Sequence, residues 1–356
     1  MQLFENKTIV ITGGTGSLGK TVVHRLLKRE LGCPKKIIVF SRDEAKQHNM
    51  RMAYMHKLVA TDEVIYRNFM DKLEFRIGDV RSYADVCSVV KNADIIINAA
   101  ALKQVPTCEY FPEQALMTNC MGAVNIVRAM QENGYPVDTV VGISTDKACK
   151  PVNVMGMTKS LQERIFTAAN VLNPETRFIC VRYGNVLASR GSVIPLFHEQ
   201  IRSGGPVTVT VPEMTRFLLS LNQAVDTVFT ALRKARPGET FVPRASSATM
   251  LNIAQALVGD RNIEIKITGI RPGEKMHEIM VSEEEMNHCV KRGVYYVILP
   301  MLPELLDTGE QKQNVLSKEF SSADRVLDFK DTVAFLKKHR LMSADVNLQN
   351  GRELLR

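Results

Sequence analysis

The chain has 356 residues, a formal net charge of +8, and hydrophobic side chains at 45% of its positions. That length supports one large or two modest domains, the composition is that of an ordinary globular protein, and the lack of any long uncharged apolar run argues against a membrane span. Seven scattered cysteines without a Cys-x-x-Cys exclude a disulfide framework and leave no metal to expect, while the positive charge suits an anionic small ligand better than a nucleic acid, since no basic block interleaves with aromatics.

The N-terminus, "MQLFENKTIVITGG", runs straight into a strand pattern, with none of the basic start and apolar stretch of a signal peptide, so a cytoplasmic protein is expected. The β-branched run 7–12 predicts the first strand, and apolar residues at helical spacing predict a helix over 17–30. Further strands are predicted at 36–40, 73–79, 93–100, 139–144 and 176–184. Continuous apolar strands separated by helices imply a parallel sheet covered on both faces, so the fold expected for 1–184 is a Rossmann-like, doubly wound α/β sheet. Residues 185–300 read as a smaller C-terminal α/β substrate domain, with short strands at 207–211 and 264–269 and helices at 222–235 and 249–258. The polar stretch 301–356 reads as a tail or an oligomer arm.

Between the first strand and first helix stands "ITGGTGSLG". Gly13, Gly16 and Gly19, with Thr15, Ser17 and Leu18 between them, form a Gly-x-x-Gly-x-x-Gly turn of the kind that lets backbone N–H groups approach a pyrophosphate at a helix N-terminus. A tight turn alone would use the same glycines; the strand before and helix after favour a dinucleotide. The second strand ends in Ser41 and Arg42, with Lys46 one helical turn on, which favours the 2′-phosphate of NADP(H); Asp43 keeps NAD open. Asp79 and Val80 close the third strand, Asp79 as an adenine contact or a strand-end cap. Ala99, Ala101 and Lys103 follow the fourth strand, where cofactor or substrate would pass.

"STDKACKPVNVMGMTK" (144–159) follows the fifth strand. Its last lysine, Lys159, has Met155 four residues before it, where short-chain dehydrogenases carry tyrosine, and a thioether neither gives nor takes a proton. Thr145, Asp146 and Lys147 supply a hydroxyl, an acid and an amine at the end of a parallel strand, where sheets of this type hold ligands; an isolated Asp-Lys pair would more often be a surface ion pair.

Taken in order, the glycine loop, "FSRDE", "AALKQVP", "STDKA", "RYGNV", "MTRF" and "RPGEK" resemble the UDP-N-acetylglucosamine 4,6-dehydratases of the extended short-chain dehydrogenase/reductases, and Met-x-x-x-Lys resembles their inverting, 5-epimerising branch. The resemblance implies bound NADP(H), a UDP-sugar substrate and a homo-oligomer, hexameric by family analogy. It implies Asp146 as acid at C6, Lys147 as base at C5, Lys159 at the nicotinamide ribose, and the missing phenol's work passed to Thr145, Asp146, Lys147 or a water. It places Asn185 on the sugar nucleotide, Arg216 and Arg271 on the two phosphates, and Glu274 on the uridine ribose. A retaining dehydratase, a C4 epimerase and a non-catalytic NADPH-binding sensor are the competing expectations. The epimerase would keep the tyrosine, and the sensor would need no C5 base.

Overall fold

The computed structural model describes residues 2–55, 63–187, 192–306 and 315–342. Six strands lead the chain: β1 (Thr8–Thr12), β2 (Lys36–Ser41), β3 (Leu73–Ile77), β4 (Ile95–Asn98), β5 (Thr139–Ile143) and β6 (Arg177–Val181). β1, β4 and β5 are buried at every position, which explains why their sequences are unbroken apolar runs rather than alternating ones. They pair in parallel in the order β3-β2-β1-β4-β5-β6. The order reverses between β1 and β4, and a crevice for ligands opens at such a switch point.

The later strands are β7 (Val207–Val209), β8 (Thr215–Phe217), β9 (Thr240–Pro243), β10 (Ser247–Thr249), β11 (Ile265–Ile267), β12 (Ile279–Val281), β13 (Cys289–Arg292), β14 (Tyr295–Ile298) and β15 (Phe320–Ser321). Three of these return to the large sheet. β9 joins β6 in parallel, and β14 and β13 add antiparallel, making nine strands. Stretch 185–300 therefore completes the first sheet as well as building its own small pairs, β8 with β10 and β7 with β11.

The stretch after residue 300 differs from the expectation of a tail or arm wherever it is described. β15 pairs with β12, and the helix Phe329–Lys338 packs on the helix Met250–Val258. Leu336 and Leu341 are buried in the smaller lobe's apolar core, and His198 Nε2 lies 3.0 Å from the Leu341 carbonyl. The polar run preceding this helix hid its apolar face. Residues 307–314 and 343–356 lie outside the described residues.

Two apolar cores flank the large sheet, one on each face. Between the strand ends and the helix Val154–Leu172 lies a buried ionic triad. The Arg182 guanidinium reaches Glu163 at 2.6 and 3.1 Å and Glu285 at 2.8 and 2.9 Å, and donates to the Met280 carbonyl at 2.8 Å. Glu163 also accepts from the Ser144 hydroxyl. One guanidinium thus ties together β6, the helix bearing Lys159, and the segment after β12.

Candidate active site

A cleft of about 1020 Å³ runs from the glycine loop, over the ends of β4, β5 and β6, to the smaller lobe. That is the upper end for ligand sites and leaves room for two ligands together. At one end, Gly16 caps the first helix (Ser17–Leu27) without a side-chain bond, so the helix's first N–H groups face the cleft. Gly13 has φ +64°, and a Cβ there would stand 2.8 Å from the Ala100 backbone. The loop therefore admits no side chain at this point, and its backbone is bare to a phosphate. Thr15, Ser17, Leu18, Gly19, Lys46, Ala99, Ala101 and Lys103 border the same space.

Four residues expected at the cofactor stand off this surface. Ser41 is joined to it through the Thr15 hydroxyl, 3.4 Å away. Arg42 is exposed and reaches Asp79 at 3.7 Å. The Asp79 carboxylate is engaged chiefly by Arg81, at 2.6 and 2.9 Å. Burial pushes the Asp79 carboxyl upward, but Arg81 and Arg42 outweigh it and hold the group below its ordinary range. Lys46, which does border the cleft, is paired with Asp43. The Val80 side chain is core, and its carbonyl accepts from Asn125 at 2.9 Å.

The middle of the cleft is built by the loop after β5 and by the helix Val154–Leu172. Asn153 caps that helix by accepting from the Gly156 N–H at 2.8 Å, and its amide donates to the Gly273 carbonyl at 2.9 Å. Lys275 Nζ donates to the Cys149 carbonyl at 2.7 Å. The "STDKACKPVN" and "RPGEK" stretches, far apart in sequence, are therefore stitched into one wall. A Cβ on Gly156 would fall 2.2 Å from the Lys147 carbonyl oxygen, so only glycine lets the helix come this close to the loop after β5.

Met155 occupies the expected tyrosine position. It borders the cleft, is 5% exposed, and packs with Cys108 and Ala115 in a small apolar cluster. Lys159 is buried with its Nζ 2.6 Å from Gln162 Oε1. Burial without a close carboxylate drops its pKa to about 8.

Lys147 Nζ contacts Asp146 Oδ1 at 3.0 Å, Glu278 Oε1 at 3.0 Å and Asn185 Oδ1 at 3.2 Å. Burial pulls its pKa down, but the two carboxylates prevail and hold it above the ordinary lysine value. Asp146 has no exposed surface and lies behind the cleft wall rather than on it. Burial pushes its carboxyl upward, toward the protonated form, and Glu278 adds to that push. The Thr145 hydroxyl, which does face the cleft, donates to Asp146 Oδ1 at 3.0 Å.

At the far end, Arg216, Arg271 and Glu274 line the cleft, as does Asn185. Arg216 is nine-tenths buried and steadied by the Thr215 carbonyl at 2.8 Å, whereas Arg271 is exposed. Glu274 Oε2 is buried without a protein partner. The fold thus gathers onto one cleft most of the residues singled out from the sequence, while Ser41, Arg42, Asp79, Val80 and Asp146 lie off its surface. Glu278 and Tyr183, which line it too, were not anticipated. The signal for Glu278 was a glutamate leading directly into the apolar "IMV" strand, where an ionised side chain requires a partner.

Among the described residues, no helix is long and apolar enough to cross a membrane, and no cluster of three metal-ligating side chains occurs. Residues 9–300 match the family described as polysaccharide biosynthesis protein. A protein of Rickettsia typhi named UDP-glucose 4-epimerase is 42% identical over 346 residues, covering 94% of this chain and 96% of that one. The X-ray structure of Pen from Bacillus thuringiensis superposes with a TM-score of 0.84 at 31% identity, over 95% of this chain and 99% of that one. DesIV, a dTDP-glucose 4,6-dehydratase from Streptomyces venezuelae solved with NAD, shares the fold at 18% identity, with a TM-score of 0.62 over 76% of this chain and 86% of that one.

Proposed function

This chain belongs to the polysaccharide biosynthesis protein family of extended short-chain dehydrogenase/reductases, enzymes that modify nucleotide sugars, and on that premise we propose that it is a UDP-N-acetylglucosamine 4,6-dehydratase that also inverts C5. The product would be a UDP-2-acetamido-2,6-dideoxy-4-keto-hexose for surface polysaccharide, such as capsule or lipopolysaccharide, made in the cytoplasm by a homo-oligomer. The observation that carries this reading is Lys147 flanked by two carboxylates on a cleft whose tyrosine position holds Met155.

The glycine loop and the bare helix N-terminus fit a dinucleotide, and Arg42 with Lys46 fits the 2′-phosphate of NADP(H). When bound, that group supplies the reversible hydride transfer by which C4 is oxidised and C6 later reduced. The chain's own residues do the rest. Lys159, titrating near pH 8, places an ammonium at the nicotinamide ribose. Thr145 carries a proton between the sugar and Asp146. Oxidation at C4 acidifies the C5 proton, which Lys147 removes, while Asp146, whose carboxyl is pushed upward by burial, donates through Thr145 to the departing C6 hydroxyl. Arg216 and Arg271 grip the diphosphate, Glu274 the uridine ribose, and Asn185 orients both sugar and Lys147.

The relative named a 4-epimerase makes C4 epimerisation the second reading. An epimerase returns hydride to C4 and leaves C5–H and C6–OH intact. Incubation with UDP-N-acetylglucosamine in D₂O separates the two. Deuterium at C5 with loss of the C6 hydroxyl is the expected result. A C4-inverted sugar without deuterium would establish the epimerase, and nucleotide binding without any turnover would establish a sensor.

Two substitutions test parts of this reading. Arg42→Ala is expected to weaken NADP(H) far more than NAD(H), because only the former carries the 2′-phosphate; equal losses on titration would remove the NADP preference. Met155→Ala is expected to keep dehydration while costing about 2–5 kcal/mol of stability, since a buried thioether leaves a cavity but no proton path is lost. Met155→Tyr restores a hydroxyl and is expected to shift the ratio of C5-inverted to C5-retained product, read from ring coupling constants. Loss of hydride transfer in well-folded Met155→Ala would end the spacer interpretation.

A further inference from the structure

Arg216 offers the cleft a buried guanidinium, held between two segments of chain. Its Nη1 donates to the Thr215 carbonyl on β8 at 2.8 Å and to the Met276 carbonyl at 3.2 Å, and its Nε lies 3.9 Å from Glu278 Oε1. A guanidinium grips phosphate oxygens through a planar fork of N–H donors, so its aim depends on how β8 and the 276–278 stretch are set against each other. Two bonds join these segments directly. The Thr215 N–H donates to the Met276 carbonyl at 3.1 Å, and the Thr215 hydroxyl lies 2.7 Å from His277 Nδ1.

A third tie comes from Ser322, which follows β15 in the stretch expected from the sequence to be a tail or an oligomer arm, past the end of the family match. Ser322 has no exposed surface and does not border the cleft. Its N–H donates to the Glu278 carbonyl at 2.8 Å, and its hydroxyl oxygen accepts from the Glu278 N–H at 2.9 Å. The same hydroxyl lies 2.7 Å from the Thr215 hydroxyl and 3.3 Å from the Thr215 carbonyl, the oxygen that also holds Arg216. Its carbonyl accepts from the hydroxyl of Ser247 on β10, the strand paired with β8. Burying a hydroxyl is unfavourable unless it is hydrogen-bonded, and this one is bonded to both segments that carry the guanidinium.

We propose that Ser322 is a positioning residue for the diphosphate: it locks the Thr215 and Glu278 backbones together and so aims the Arg216 guanidinium. The inference rests on the assignment of Arg216 to the UDP diphosphate. The pairing of β15 with β12 brings Ser322 to this place. The segment past residue 315 therefore belongs to the nucleotide site, although none of its described residues borders the cleft.

Calorimetric titration with UDP and with uridine tests this, because uridine lacks the phosphates and senses only the base and ribose end. Ser322→Ala removes the hydroxyl and is expected to weaken UDP about tenfold while uridine stays within about twofold of the parent. Arg216→Ala is expected to weaken UDP about a hundredfold, again with uridine nearly unchanged. A residue that acts through Arg216 adds nothing once Arg216 is gone, so the double variant is expected to bind UDP no more weakly than Arg216→Ala alone. A serine that only supports the fold would weaken both ligands alike, or add its loss to that of Arg216→Ala; either result overturns the proposal, as does unchanged UDP affinity in Ser322→Ala. If Ser322→Ala shows no cooperative thermal transition, Thr215→Val, close in volume and without the hydroxyl that meets Ser322, is judged by the same comparisons. Thr215→Ser keeps that hydroxyl and is expected to bind UDP like the parent; a loss there equal to that of Thr215→Val overturns the proposal. Should Arg216→Ala weaken UDP and uridine equally, or neither, the diphosphate assignment falls and this inference with it. A selective Arg216→Ala loss beside a silent Ser322→Ala brings down this inference alone.

Discussion

Replacing Lys147 with alanine is expected to cut formation of the 4-keto sugar by a factor of about 10²–10⁴ while UDP remains bound. The side chain is the amine placed at the end of β5, and its removal leaves Asp146 and Glu278 facing each other in a buried site. Two carboxylates without the intervening cation resolve their repulsion by keeping a proton on one of them, so the fold tolerates the change better than the chemistry does. Lys147→Arg separates charge from basicity. Guanidinium restores the cation but does not deprotonate, so this variant is expected to be folded and inactive. Product within a few-fold of the parent in either variant would remove Lys147 from the role of C5 base.

The second large effect concerns stability. Arg182→Met is expected to cost about 3–5 kcal/mol, because Glu163 and Glu285 are then left buried without their cation. The buried triad makes this cost a matter of stranded charge rather than lost packing. A triple variant with Met at 182, Leu at 163 and Met at 285 is accordingly expected to recover most of the loss. The sign with pH follows from Glu285, whose carboxyl burial raises but Arg182 lowers further, to below its ordinary value. Its contribution is present above the ordinary glutamate value and is lost as pH falls through the lower folded value. Arg182→Met therefore flattens the acid limb of the stability curve. Urea titrations at neutral and acid pH measure both; a loss below 1 kcal/mol would mean the triad carries little of the stability assigned to it.

The first half of the fold was legible because parallel strands covered on both faces leave a simple signature, an apolar run such as "DIIINAA" closed by small residues. The antiparallel strands β13 and β14 left no such trace. "CVKR" is short and half polar and "YYVI" is only four residues long; β14 becomes a strand by pairing with β9, and β13 by pairing with β14. The C-terminal helix was hidden for a related reason, since Leu336 becomes a core residue only against the helix Met250–Val258. At the site, the motifs identified the right loops because turn chemistry and strand ends are local. The proton states were not local. Asp146 reads as a cleft residue in sequence yet is walled off, and Lys147 reads as a base yet is held as a cation, because Glu278 approaches from 131 positions away in the chain. The Arg182 triad was illegible for the same reason.

The bare backbone of Gly156 against the Lys147 carbonyl also constrains how such a site can evolve. The helix holds its distance from the loop after β5 through position 156 and its capping Asn153, not through position 155. A change at 155 between a phenol and a thioether can therefore leave Lys147 where it was, whatever it does to packing and product. Position 156 has no such freedom, since even one added methyl would push the loop, and the lysine with it, out of register with Glu278. A scaffold of this kind lets the side chain at 155 change while Lys147 keeps its place.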